Sequence, residues 1–102
     1  MRLIYITCPD DETADRLAEI AVDGQLAACA NILPGMRSVY RWQGKIERSA
    51  EVVLLLKTTP EAAPELIRQM AEFHLYEQPA ILDLPADGEE GFLQWIEGEV
   101  VP

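Results

Sequence analysis

The apolar positions of this chain change period several times, and each change marks an element. Arg2 to Cys8 is a short run rich in β-branched and aromatic residues closed by Pro9, which predicts a first strand. Ala14, Leu17, Ala18 and Ala21 then recur at helical spacing. Asp10 is a good N-cap for that helix, Asp11 and Glu12 put negative charge where the helix dipole favours it, and Gly24 predicts its stop. A second strand starts near Leu26 and runs toward Trp42, far beyond the usual ~5–6 residues, with Pro34-Gly35 expected to kink or bulge it. Gln43-Gly44 predicts a tight hairpin turn with Gly supplying the positive φ. A third strand follows and ends in Val52-Val53-Leu54-Leu55-Leu56. Thr59 and Pro60 open a second helix with Leu66, Ile67, Met70 and Phe73 as its stripe; Pro64 is tolerable there only within the first turn. Pro79 to Leu84 predicts a fourth strand. Asp87 and Glu90 resemble a capping box for a last helix with Phe92, Trp95 and Ile96 turned inward.

The order β-α-β-β-α-β plus a terminal helix is the split βαβ, or ferredoxin-like, arrangement: an α+β fold with an antiparallel sheet, expected as one domain over residues 1–102. In that topology the first and third strands are central and should be the most apolar, as Leu3–Ile6 and Val52–Leu56 are. They are apolar at successive positions, hence on both faces, whereas the two crossover helices cover only one. The terminal helix can shield part of the other face. A neighbouring copy is expected to shield the rest, so the pattern predicts a closed homo-oligomer.

Charge narrows the partners. Eight Lys and Arg stand against eighteen Asp and Glu, a net charge of -10. A phosphate backbone or an acidic membrane surface would be repelled, so neither nucleic acid nor membrane is expected. No segment approaches the ~20 apolar residues a bilayer crossing needs, and Leu3–Ile6 is too short for a signal-peptide core. Two cysteines make no disulfide framework, so a cytoplasmic, reducing location with both thiols free is expected.

The residues able to carry chemistry are few. Cys8, Cys29 and His74, the single histidine, are the soft-ligand candidates, with carboxylates as possible companions. His74 lies four residues after Met70 and could equally satisfy the last carbonyls of its helix. With the third strand between the first and second, Cys8 and Cys29 are expected roughly 9–10 Å apart, too far for a disulfide and awkward for a shared metal. No CxxC, HExxH or paired histidines occur. Tyr40, Trp42 and Tyr76 could line a ligand groove or simply pack, and Lys57 with Glu77 could border a cleft or form a salt bridge. No third group is identifiable to orient a Cys–His pair, and no nucleophile elbow, Gly-rich phosphate loop or dinucleotide fingerprint is present. Acylphosphatase-type chemistry would need a phosphate cradle near the first helix, where Pro9-Asp10-Asp11-Glu12 is acidic.

Taken together, Leu26-Ala27-Ala28-Cys29-Ala30-Asn31, Pro34-Gly35, Tyr40-Arg41-Trp42-Gln43-Gly44-Lys45, Leu56-Lys57-Thr58 and His74-Leu75-Tyr76-Glu77-Gln78-Pro79 resemble the CutA divalent-cation-tolerance family. The match runs from Thr7 to Ile96, and it is the order and spacing of the motifs that make it specific. The resemblance implies a ferredoxin-like homotrimer, cytoplasmic, non-enzymatic, binding copper or another divalent metal and acting in metal tolerance. It assigns His74 as the main nitrogen ligand and Cys29 as the thiol. Leu75 stands where the family has proline, and Cys8 is offset from the family's other thiol and is not carried over. The trimer of that family resembles the PII signalling proteins, which by analogy of fold implies an alternative: sensing of a small organic or anionic ligand in an inter-subunit cleft by Tyr40, Trp42, Lys57, Tyr76 and Glu77.

Overall fold

In the structure, a computed structural model that describes residues 1–101, the first strand β1 (Arg2–Cys8) leads into helix α1 (Asp11–Asp23). Asp10 caps α1 as expected: its side chain accepts from the Thr13 N–H at 2.8 Å. The exit is a different matter. Gly24 has φ -76, and the left-handed residue is Gln25 at φ 56. Gly24 is needed for space, because a Cβ there would lie 2.9 Å from the Ile20 carbonyl oxygen. The backbone N–H groups of Leu26 and Ala27 both donate to Ala21 O, so the chain is still closing the helix where a strand was expected to begin.

Strand β2 (Cys29–Trp42) therefore starts three residues late. It pairs antiparallel with β3 (Lys45–Thr58), and Pro34-Gly35 makes the expected bulge: Leu33 faces Val53, but Met36 faces Glu51. Gly35 takes φ +85 there. At the hairpin tip both Gln43 (φ 51) and Gly44 (φ 79) are left-handed, as a two-residue type I′ turn requires. Beyond the bulge the two strands form an arm that gives the molecule its 45 Å long axis.

Helix α2 (Ala63–Phe73) holds Pro64 in its first turn. Strand β4 (Ile81–Pro85) completes an antiparallel sheet in the order β2-β3-β1-β4, with β1 and β3 central. Helix α3 (Glu90–Glu99) follows. The expected capping box is not formed. Asp87 instead accepts from Gly88 N–H, and Glu89 caps α3 by accepting from the N–H groups of Gly91 and Phe92. Of the three residues expected to face inward on α3 only Ile96 does; Phe92 and Trp95 stack on each other, 5.9 Å between centroids, and stay exposed. Phe73, expected on the stripe of α2, is also exposed.

The core lies between the helices and one face of the sheet: Ile4, Ile6, Cys8, Leu54 and Leu56 meet Leu17, Leu66 and Met70, all fully buried. A small second cluster of Ala28, Ala62, Ile96 and Val100 seats α3 at one end of the sheet. By register, the opposite face carries Leu3, Tyr5, Leu33, Val53, Leu55, Leu82 and Leu84. Neither crossover helix reaches it, and α3 leaves Leu33, Leu82 and Leu84 exposed. Each is about half exposed, so covering what remains of each leucine would contribute about 1 kcal/mol.

Candidate functional site

His74 follows the last turn of α2, where its backbone N–H still donates to Met70 O at 3.0 Å. Both of its ring nitrogens are occupied. Nε2 lies 2.8 Å from the Thr7 carbonyl oxygen, and Nδ1 accepts the Tyr76 backbone N–H at 2.9 Å. An amide can only donate and a carbonyl can only accept, so Nε2 carries the proton and Nδ1 offers its lone pair. The ring is buried and clamps the segment after α2 to the end of β1. No lone pair remains for a metal or for taking a proton from a thiol. The assignment of His74 as main nitrogen ligand is therefore corrected: within the chain it is a positioning residue.

The thiols do not join it. Cys29 pairs in register with Lys57 on β3, whereas His74 meets Thr7, which pairs with Val53. That is about 13 Å along the strands and about 10 Å across them. Cys8 pairs with Val52, so it lies about 17 Å along the sheet from Cys29 in addition to two strand spacings, much farther than the sequence suggested. Cys8 is fully buried; burial first, then the charges of Asp10 and Glu51, push its thiol up to about 11. Cys29 is half-buried, with Sγ 4.0 Å from Asn31 Oδ1. Among the described residues no three His, Cys, Asp or Glu side chains converge as a metal site. His74 and Cys29 thus do not fit a shared metal centre within one chain.

What the structure does bring together is an open groove of about 610 Å³ between the arm and the segment that His74 anchors. Its lining includes Thr7 from β1, Ser38, Tyr40 and Trp42 from β2, Ser49 and Glu51 from β3, and Tyr76, Glu77 and Gln78. The bulge sets the parity that turns Ser38, Tyr40 and Trp42 to the same side as Ser49 and Glu51. Tyr76 donates its hydroxyl to Glu51 Oε2 at 2.8 Å. Burial first, then the hydrogen bond and charge of Glu51, raise the phenol well above its ordinary range, so Tyr76 stays a donor.

Four of the five expected groove residues, Tyr40, Trp42, Tyr76 and Glu77, are therefore neighbours. Lys57 is not. It lies toward the other end of β3, pairs with Leu3 and Cys29, and holds its Nζ 5.5 Å over the Phe92 ring. It forms no pair with Glu77. Glu51 escaped the sequence reading; its signal was a lone carboxylate abutting the apolar run Val52–Leu56.

Comparison with known proteins places these features among relatives. Residues 2–99 match the family described as "CutA1 divalent ion tolerance protein". The divalent-cation tolerance protein CutA of Thermus thermophilus is 42% identical over 95 residues, covering 92% of either chain. The solved structure of the divalent cation tolerance protein (Cut A1) from that organism is 40% identical and covers 99% of this chain and all of its own, with a TM-score of 0.93. The structure described as the periplasmic divalent cation tolerance protein CutA from Archaeoglobus fulgidus is 38% identical over 99% of this chain and all of its own, TM-score 0.94. "Protein CutA, chloroplastic" of Arabidopsis thaliana is 36% identical over 92% of this chain, which spans about half of it, 52%. These periplasmic and chloroplastic relatives overturn the cytoplasmic expectation, which rested on missing targeting signals and free thiols; it is withdrawn.

Proposed function

Since the chain belongs to the CutA1 divalent ion tolerance protein family, which supports a role in metal tolerance, we propose that residues 1–102 form one domain that works as a homotrimer, binds copper or another soft divalent metal as cargo, and catalyses no reaction. The observation that carries this reading is the sheet face bearing Leu3, Tyr5, Leu33, Val53, Leu55, Leu82 and Leu84, which neither crossover helix covers and on which α3 leaves Leu33, Leu82 and Leu84 exposed. A surface of that kind is closed in solution by other copies. Cys29 lies on the same face by register, at the β2 edge, so copies covering that face bring thiols toward one another. A thiolate is the soft donor that copper prefers. In this reading Cys29 supplies the metal donor and the other donors come from neighbouring copies. His74 shapes the chain and does not bind metal.

The test has two arms. Sedimentation velocity at micromolar dilution should show a three-chain species, and copper titration of wild type against Cys29→Ser should show most of the uptake lost in the variant. A well-folded lone protomer refutes the assembly. Equal copper uptake by the two proteins refutes Cys29 as donor.

A further inference from the structure

The arm has a second face. Strand alternation places Arg37, Val39, Arg41, Ile46, Arg48 and Ala50 there, on the opposite side from Tyr40, Trp42 and Glu51. It continues the sheet face that the crossover helices cover. Leu54 and Val52 are buried on that face, but from Ala50 outward all six residues are exposed. Copies meeting over Leu33, Leu82 and Leu84 cover the other side of the sheet, so this side of the arm points outward.

Its charge is out of keeping with the chain. The net charge is -10, yet these six positions hold three arginines and no acid. The other three arginines are engaged: Arg2 with Asp83 at 2.7 Å, Arg68 with Glu65 at 2.6 Å, and Arg16 donating to the Phe73 carbonyl oxygen at 2.7 Å. Among the described residues no carboxylate pairs with Arg37, Arg41 or Arg48. Arg41 alone of the three makes a side-chain hydrogen bond there, a long one of 3.5 Å to Gly44 O. Register fixes their spacing. Arg48 lies across from Val39, so Arg37 and Arg41 stand on its two diagonals, roughly 7–8 Å away, and about 13 Å from each other. Guanidinium groups so placed repel one another, and carboxylates set among them relieve the repulsion.

Shape selects the class of anion. Small-molecule sites are concave, whereas this is a two-stranded ribbon with every side chain exposed. A single-stranded nucleic acid binds where rings offer a stacking platform, and Tyr40 and Trp42 point to the other side. The charge of the whole chain also repels a polyanion at long range. What stands between the arginines is aliphatic: Val39 and Ile46, each 57% exposed. Guanidinium forks around apolar side chains suit protein recognition, because arginine is enriched in such interfaces and grips a carboxylate at two points.

We propose that this face of the arm docks an extended acidic segment of another protein. Carboxylates of that segment lie on Arg37, Arg41 and Arg48, and an aliphatic side chain between them lies on Val39 and Ile46.

Fluorescence anisotropy of a labelled peptide on the intact protein tests this. The probe carries glutamate, leucine and glutamate at alternate positions with serines between, which sets its two carboxylates at the pitch of Arg37 and Arg41. It should bind at millimolar concentration or tighter, and more weakly as salt is added. The same peptide with glutamine in place of glutamate should bind at least about tenfold more weakly, as expected when charge-assisted bonds are lost. Replacing the three exposed arginines together, Arg37→Gln, Arg41→Gln and Arg48→Gln, should abolish the preference for the acidic peptide and leave sedimentation unchanged. If that variant misfolds, the glutamine peptide and the salt series decide the matter on wild type alone. No binding, equal binding of the two peptides, or undiminished binding by the folded variant overturns the proposal. A short oligothymidylate that binds more tightly than the peptide, and is lost in the same variant, overturns it in favour of nucleic acid. A folded variant with altered assembly overturns it in favour of a contact between copies. Peptide binding needs no copper, so a protein that takes up none and still binds the acidic peptide leaves this inference standing.

Discussion

Replacing His74 by alanine separates two roles for that side chain with one pair of measurements. The ring makes two hydrogen bonds, at 2.8 Å to Thr7 O and 2.9 Å from Tyr76 N–H, in a residue only 8% exposed. Each such bond contributes about 1 kcal/mol net, and leaving its partner unsatisfied where water is partly excluded costs up to about 3 kcal/mol. Thr7 and Tyr76 can each regain some water at the groove, so the combined loss is about 2–4 kcal/mol. For a domain near this length that corresponds to a fall in Tm of about 10–20 °C. Circular dichroism melts of wild type and variant, at one fixed protein concentration because assembly shifts Tm by mass action, read the change. Copper titration of the same two samples supplies the second axis. The structure predicts a large fall in Tm with copper stoichiometry retained by the folded fraction. A variant within about 3 °C of wild type that has lost copper binding would refute the argument and restore His74 as a ligand.

Four further outcomes follow from the geometry. Leu82→Lys with Leu84→Lys, on exposed positions of the uncovered face, should leave each chain folded by circular dichroism yet abolish the larger species in sedimentation; an unchanged assembly would mean that this face is not where copies meet. A thiol reagent at mildly alkaline pH should label Cys29 alone in the native protein and both cysteines after unfolding, because Cys8 is buried and its thiol is pushed up to about 11. With its folded pKa raised above the ordinary thiol value of 9.0, Cys8 also makes stability decline as pH rises from there toward about 11, and a Cys8→Ala variant should lose that part of the slope in urea titrations. Asp10, Glu65 and Glu89 are held below the ordinary carboxyl range by Thr13 N–H, by Arg68 and by the Gly91 and Phe92 N–H groups respectively, so their contribution is present above the unfolded values and lost as pH falls. Urea midpoints taken down to about pH 3 should therefore drop, and a flat profile would contradict these cap and ion-pair assignments.

Elements bounded by backbone chemistry were legible in the sequence. Pro9, Asp10, Pro34-Gly35 and Gln43-Gly44 each act through φ, a missing donor or a local hydrogen bond, so they speak from within a few residues. The order of the sheet followed from where the apolar runs fall. What stayed hidden depends on partners distant in sequence. Phe92 and Trp95 have the spacing of core residues, but whether a helix face is buried is decided by what it packs against, and here only Ile96 finds the small second cluster. Lys57 was assigned to the right strand and the wrong end of the cleft, because the register that sets it opposite Leu3 and Cys29 appears only once the strands are paired. The ring of His74 looked available because its two acceptor and donor partners, Thr7 O and Tyr76 N–H, are backbone groups that no motif displays. Glu51 reads as an ordinary strand-end charge until Tyr76, twenty-five residues away in the chain, is seen to close over it.

The extra residue at Pro34-Gly35 reaches further than a kink. It shifts the reading frame of the outer half of β2, so that Met36 rather than Gly35 meets Glu51. Pairing that residue into the ladder, so that Gly35 met Glu51 with nothing removed, would swap odd for even along the whole arm. Arg37, Val39 and Arg41 would turn toward Glu51 and Tyr76, and Tyr40 and Trp42 would turn away. A wall of rings facing an acid would become a wall of guanidinium groups facing the same acid, with no side chain of the arm itself replaced. The chemistry that this hollow offers is thus set by one backbone unit left out of the ladder: deleting that unit would close the ladder and keep the rings on the acid's side, whereas pairing it would reverse the hollow's electrical preference.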